Sequence, residues 1–92
     1  MNITIFLADD HGVIRDGLRL LLETQTDFKV IGEADNGLET IQLVERLQPE
    51  VLIVDIMMPG LNGLEVTRQV TQRFPQTQVI ILSMRTNESY VL

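Results

Sequence analysis

The sequence predicts an α/β fold built on a parallel sheet. Short aliphatic runs alternate with segments whose apolar residues recur at helical spacing, and turn residues separate the two kinds of segment. Strands alternating with helical patterns imply parallel βαβ units, joined by right-handed crossovers. A third observation locates a site. Asp9 and Asp10 follow one apolar run and Asp55 closes another, and the carboxyl ends of parallel strands open onto the ligand crevice.

Each element has its own signal. Ile3–Ala8 reads as a buried strand, short and nearly all apolar. A helix from about Gly12 to Glu23 follows, with Ile14, Leu18, Leu21 and Leu22 as one apolar stripe. Phe28–Ala34 is the second strand, and Asp35-Asn36-Gly37 is a turn signal. The second helix runs from about Leu38 to Leu47 with Ile41 and Val44 inward, and Pro49 stops it because the residue before a proline disfavours helix. Val51–Asp55 is the third strand. Ile56–Gly63 is a Pro- and Gly-rich loop. A third helix from about Leu64 to Phe74 presents Val66, Val70 and Phe74 on one side, and Pro75 closes it. Val79–Ser83 is the fourth strand, residues 84–87 a loop, and Glu88–Leu92 the opening of a fourth helix with Asn87 as its cap.

Composition narrows the function classes. Ninety-two residues make one domain with a modest core. The hydrophobic share is 45% against 4% aromatic, so the core is aliphatic and the chain is not disordered. Without cysteine there is no disulfide framework and no thiolate metal site. No apolar stretch reaches the roughly 20 residues of a bilayer span, and no secretory signal is visible at the N-terminus. These features point to a cytoplasmic protein without membrane contact. A net charge of −6 leaves little basic surface for phosphate backbones, so this chain alone is not expected to bind nucleic acid.

Asp9, Asp10 and Asp55 at neighbouring strand ends would repel one another, and like charges held close raise each other's pKa. A divalent cation resolves that conflict. Mg²⁺ suits the donor set: it is hard, octahedral, and content with one or two carboxylates plus waters and phosphate oxygens. With that charge screened, Asp55 could act as a nucleophile toward phosphorus, since aspartyl phosphates are a known form of covalent catalysis. Asp9 and Asp10 point in alternate directions and should take unequal roles, and a backbone carbonyl of the loop after Asp55 could add a ligand. Pro59, Gly60 and Gly63 suit the irregular path of that loop. Other residues read more plainly. His11 looks like an exposed polar residue at the first turn of helix one. Arg15 looks like part of a solvated face. Met57 and Met58 look at first like core filler, Ser83 like a turn serine, and Tyr90 like a surface residue.

The string Asp55-Ile56-Met57-Met58-Pro59-Gly60-Leu61-Asn62-Gly63 resembles the phosphoacceptor motif of response-regulator receiver domains. Phe6-Leu7-Ala8-Asp9-Asp10-His11 resembles their acidic pair. The acid-acid-His form, with Arg15 and Gly17-Leu18 after it, is most similar to the NarL/FixJ subfamily, as are Glu33–Gly37 and Val79–Met84. The resemblance covers the whole chain. It implies a flavodoxin-like three-layer sandwich with parallel strand order 2-1-3-4-5. It implies Asp55 as the acceptor of a phosphoryl group from a histidine kinase, with Asp10 on Mg²⁺ directly, Asp9 through water, and the Met57 carbonyl completing the protein ligands. Ser83 becomes the switch hydroxyl, and Met57 and Arg85 take the positions that tune dephosphorylation, here toward slow loss. Members of this subfamily regulate transcription through a C-terminal DNA-binding domain, which these residues do not contain.

The fifth strand of such a fold, with its lysine and aromatic switch residue, is missing from the 92 residues. The sequence stops at Leu92 in what reads as the first turn of a helix, which suggests part of a larger protein. Strand four would then present an unpaired edge inviting a homodimer or a strand-swapped dimer. Two other functions compete with the receiver. An aspartyl-nucleophile phosphatase needs a general acid two residues after the nucleophile, and Met57 stands there, so an enzyme in the ordinary sense is not expected. A phosphorylation-independent interaction module is the remaining alternative.

Overall fold

The structure is a computed structural model that describes residues 2–82. Four parallel strands and three helices alternate: β1 (Ile3–Ala8), α1 (Gly12–Leu22), β2 (Phe28–Ala34), α2 (Gly37–Leu47), β3 (Val51–Asp55), α3 (Gly63–Arg73) and β4 (Gln78–Leu82). The sheet order is β2-β1-β3-β4, as the resemblance implies. Ser83, Arg85, the loop at 84–87 and the helix opening at Glu88 lie outside the described residues, as would any fifth strand.

The larger cluster of buried side chains lies on one face of the sheet. Phe6 and Ala8 of β1 and Leu52 and Val54 of β3 point there, at period two along each strand. They meet Ile41 and Val44 of α2 and Val66 and Val70 of α3, with Phe74 and Val79 at the margin. The inward residues predicted for α2 and α3 are therefore the ones that pack. The opposite face carries α1, which has no fully buried residue. Here the predicted stripe needs a correction: Ile14, Leu18 and Leu22 are half-buried, but Leu21 is 67% exposed. The helix presents its i, i+4, i+8 row to the sheet, and Leu21 stands on the flank beyond that row.

Helix starts also move slightly. α2 begins at Gly37 and α3 at Gly63, each one residue before the expected position, because an asparagine caps each. Asn36 Oδ1 accepts from the Glu39 amide and Asn62 Oδ1 from the Glu65 amide, both at 2.9 Å. β2 holds one surprise. The β1–β2 ladder runs Ile5↔Val30 and then Phe6↔Gly32, so Ile31 is a surplus residue in a bulge. Above it Glu33 pairs with Leu7 and Ala34 with Ala8. Glu33 thus faces α1 while Ala34 enters the core.

Candidate metal centre

β1 and β3 are hydrogen-bonded neighbours with Ala8 opposite Val54. The residues that follow, Asp9 and Asp55, therefore emerge side by side at the centre of the sheet. The Asp9 amide continues the ladder by donating to the Ala34 carbonyl at 3.1 Å. Asp9 and Asp55 are only 3% and 4% exposed, while Asp10 is open to solvent. The three acids and His11 each offer one ligand atom, and all four atoms lie within 4.8 Å of one another. The expected convergence of Asp9, Asp10 and Asp55 is present, and the expected inequality of the N-terminal pair is one of burial.

Electrostatics match that crowding. Burial, above all, pushes the Asp55 carboxyl up from its ordinary pKa, and Asp9 and Asp10 push it the same way; the Met57 amide, 3.4 Å from Oδ1, pulls it back. Asp9 Oδ1 accepts from the His11 amide at 2.8 Å, but its Oδ2 is buried with no hydrogen-bond partner. A buried carboxylate oxygen without a donor is costly, and a hard cation would satisfy it. The donor set thus fits a divalent ion of the Mg²⁺ class.

The loop after β3 is shaped to keep Asp55 in place. Gly60 takes a φ of 74°, a conformation that side chains disfavour. At Gly63 a Cβ would come within 2.2 Å of the Asp55 carbonyl, so only glycine lets α3 start against the strand tip. The Gly63 amide closes the loop on the Ile56 carbonyl at 2.8 Å. Met57 and Met58, both expected as core filler, differ: Met58 joins the core at 7% exposure, while Met57 is 46% exposed in the loop after Asp55.

Two residues depart from their plain readings. His11 is exposed, but its ring turns into the acids, with Nδ1 2.9 Å from Asp9 Oδ1 and 3.1 Å from Asp10 Oδ1. The hydrogen bond to Asp9, aided by the charge of Asp10, raises its pKa. Arg15 is not on a solvated face. Its Nη1 donates to the Asp9 carbonyl at 2.6 Å and its Nε to Glu33 Oε1 at 3.1 Å. Arg19 also bonds Glu33. The sequence marks only one half of this clasp: Glu33, like Asp9 and Asp55, is an acid near the end of an apolar strand, but nothing in the sequence joins it to Arg15. At the opposite pole, a cavity of about 350 Å³ lies between the α2–β3 and α3–β4 connections under Arg73 and Phe74; the acids take no part in it.

The model of the response regulator receiver domain matches residues 5–92. The chain belongs to the response-regulator receiver family. This receiver is 39% identical over 90 residues to the transcriptional regulatory protein DegU of Brevibacillus brevis, covering 98% of the chain and 38% of that protein. It is 42% identical over 88 residues to the oxygen regulatory protein NreC of Staphylococcus carnosus, covering 95% of the chain and 41% of that protein. The chain thus spans about two fifths of the length of these relatives. Among solved structures it is similar to the signal receiver domain of NarL from Mycobacterium tuberculosis, with a TM-score of 0.88 and 28% identity over 96% of this chain and 71% of that one. The response regulator domain of Thermotoga maritima CheB gives a TM-score of 0.88 at 35% identity, over 96% of this chain and 65% of that one. With such relatives, the receiver is of the NarL/LuxR type. No helix among the described residues is long and apolar enough to cross a membrane.

Proposed function

We propose that Asp55 is the phosphoryl acceptor of a two-component pathway. The observation that carries this is the side-by-side emergence of buried Asp9 and Asp55 from adjacent central strands, with Asp10 at the rim. In this reading an Asp55 carboxylate oxygen attacks the phosphorus of a kinase phosphohistidine. The P–O bond forms as the P–N bond breaks, and the imidazole leaves and takes up a proton. Asp9, Asp10, Asp55 and the Met57 carbonyl would hold Mg²⁺, which supplies the positive charge that quiets repulsion between the carboxylate and the phosphoryl oxygens. Ser83 would donate a hydrogen bond to the new phosphoryl group, and Arg85 with Met57 would set its lifetime. Phosphorylation adds about −1.5 to −2 charge at pH 7, enough to bias a two-state switch.

The transcriptional relatives support a downstream role in gene regulation, exerted by a separate DNA-binding domain of the whole protein. The test is incubation with acetyl phosphate and Mg²⁺, read by phosphate-affinity electrophoresis. One shifted band is expected, lost in Asp55→Asn and on chelation of the metal. Beryllofluoride with Mg²⁺ should bind the protein and not the variant. A shifted band that survives in Asp55→Asn would refute the assignment, and steady hydrolysis of p-nitrophenyl phosphate would favour a phosphatase.

A further inference from the structure

Asp10 is the acid of the pocket that is open to solvent. Among the described residues its carboxylate has one ion-pair partner, the exposed His11 ring at 3.1 Å. Its direction therefore depends on its backbone. The Asp9 carbonyl shares one rigid peptide plane with the Asp10 amide and Cα. The Asp9 amide is tied to the Ala34 carbonyl at 3.1 Å, and the next plane is gripped through its oxygen by Arg15 Nη1 at 2.6 Å. Fixing that oxygen fixes where Asp10 leaves the end of β1. Arg15 is itself held. Its Nε donates to Glu33 Oε1 at 3.1 Å, while Arg19 takes Glu33 Oε2 and donates to Asp16 at 3.1 Å. The Arg15 and Glu33 side chains are only 22% and 23% exposed, so water competes weakly for their bond.

We propose that Arg15 and Glu33 are positioning residues: Glu33 holds the Arg15 guanidinium, and Arg15 turns the Asp9–Asp10 peptide so that the Asp10 carboxylate faces the cation. Arginine suits this task because its planar fork bonds two acceptors in one fixed geometry, here a carbonyl at the end of β1 and a carboxylate of β2. The register supplies the second acceptor, since the bulge leaves Glu33 opposite Leu7, on the face that carries α1. Charge alone would act in the opposite direction. A guanidinium beside the acids opposes the approach of a divalent ion, so a side chain acting only through its charge would, once removed, leave Mg²⁺ bound more tightly. A side chain that aims Asp10 would, once removed, leave Mg²⁺ bound more weakly. The inference rests on the proposed reading of Asp9, Asp10 and Asp55 as the cation site, and adds to it two residues that reach the cation only through Asp10.

The experiment is calorimetric titration with Mg²⁺ of wild type, Arg15→Met, Asp10→Asn and the double variant, with urea unfolding of each alongside. Arg15→Met should weaken Mg²⁺ by about tenfold or more, as loss of a group that orients a metal ligand does. In the Asp10→Asn background the same change should cost no more than about twofold, because no carboxylate is left to aim. A merely structural role would lower stability and multiply its effect on Mg²⁺ with that of Asp10→Asn. Glu33→Ala keeps Arg15 but removes its anchor; it should repeat the pattern, and it carries the test if Arg15→Met folds poorly. Unchanged or tighter Mg²⁺ binding in these variants, or losses that multiply in full with Asp10→Asn, overturns the proposal and leaves the cation site intact. If Asp10→Asn binds Mg²⁺ as tightly as wild type, Asp10 is no ligand, and the proposal falls together with that part of the metal assignment.

Discussion

Asp9 and Asp55 are both buried, and burial, with Asp9 and Asp10 close by, makes the charge on Asp55 more expensive. Because the folded Asp55 carboxyl is raised above its unfolded value, its contribution to stability is greatest below the usual carboxylate range and declines as pH rises through that raised value. We predict that Asp55→Asn raises the melting midpoint of the metal-free protein at neutral pH, by about 4–8 °C per kcal/mol relieved, and that added Mg²⁺ stabilises wild type but not the variant. Equal stabilisation of both in thermal melts would sink the idea. Arg15 is a second residue of consequence. Arg15→Met removes its bonds to the Asp9 carbonyl and Glu33 and should cost about 1–3 kcal/mol in urea unfolding, with weaker Mg²⁺ binding alongside. The acids were legible in the sequence because each ends an apolar run. Arg15 was not, because its two partners come from different strands and meet it only once β2 lies beside β1.

At the scale of elements, the strands were readable to within a residue because buried parallel strands are short aliphatic runs. The helices α2 and α3 were readable for their inward rows. The helix α1 was harder to read. A stripe of leucines fixes that a helix is amphipathic but leaves its rotation open by one flank, and Leu21 fell on the wrong one. The Asn62 cap and Gly63 belong together at the start of α3. Asn62→Ala should cost about 1 kcal/mol. Gly63→Ala should cost more, since its methyl group meets the backbone of Asp55 itself, and it should also lower phosphorylation at the proposed acceptor. Chemical unfolding of the two variants checks the order. Farther along α3, hydrogen bonds from Arg68 and then Gln69 hold the Glu65 carboxyl down to about 2. A depressed carboxyl stabilises above its unfolded pKa and loses that effect as pH falls from the usual carboxylate range to about 2. Arg68→Met should therefore be slightly less stable than wild type near neutrality and converge with it at pH about 2, a small effect because the pair is exposed. Melts that stay parallel across that range would contradict it.

For the whole molecule, the two faces of the sheet carry unequal weight. Phe6→Ala empties the centre of the α2–α3 face and should cost about 3–5 kcal/mol, much of what a small domain has. Ile80→Ser, on a half-exposed position of β4, should change stability by no more than about 0.5 kcal/mol. Position in the sheet explains why the acids could be found from one dimension alone, since order β2-β1-β3-β4 puts the two acid-tipped strands next to each other. The bulge at Ile31 could not be found that way, because seven residues of aliphatic pattern look the same with or without a surplus one. That surplus has a consequence for tolerance of length. A chain lacking Ile31 would still align Leu7 with Glu33 and Ala8 with Ala34, so β2 can shrink by one unit while the arginine grip on its upper end keeps its handedness.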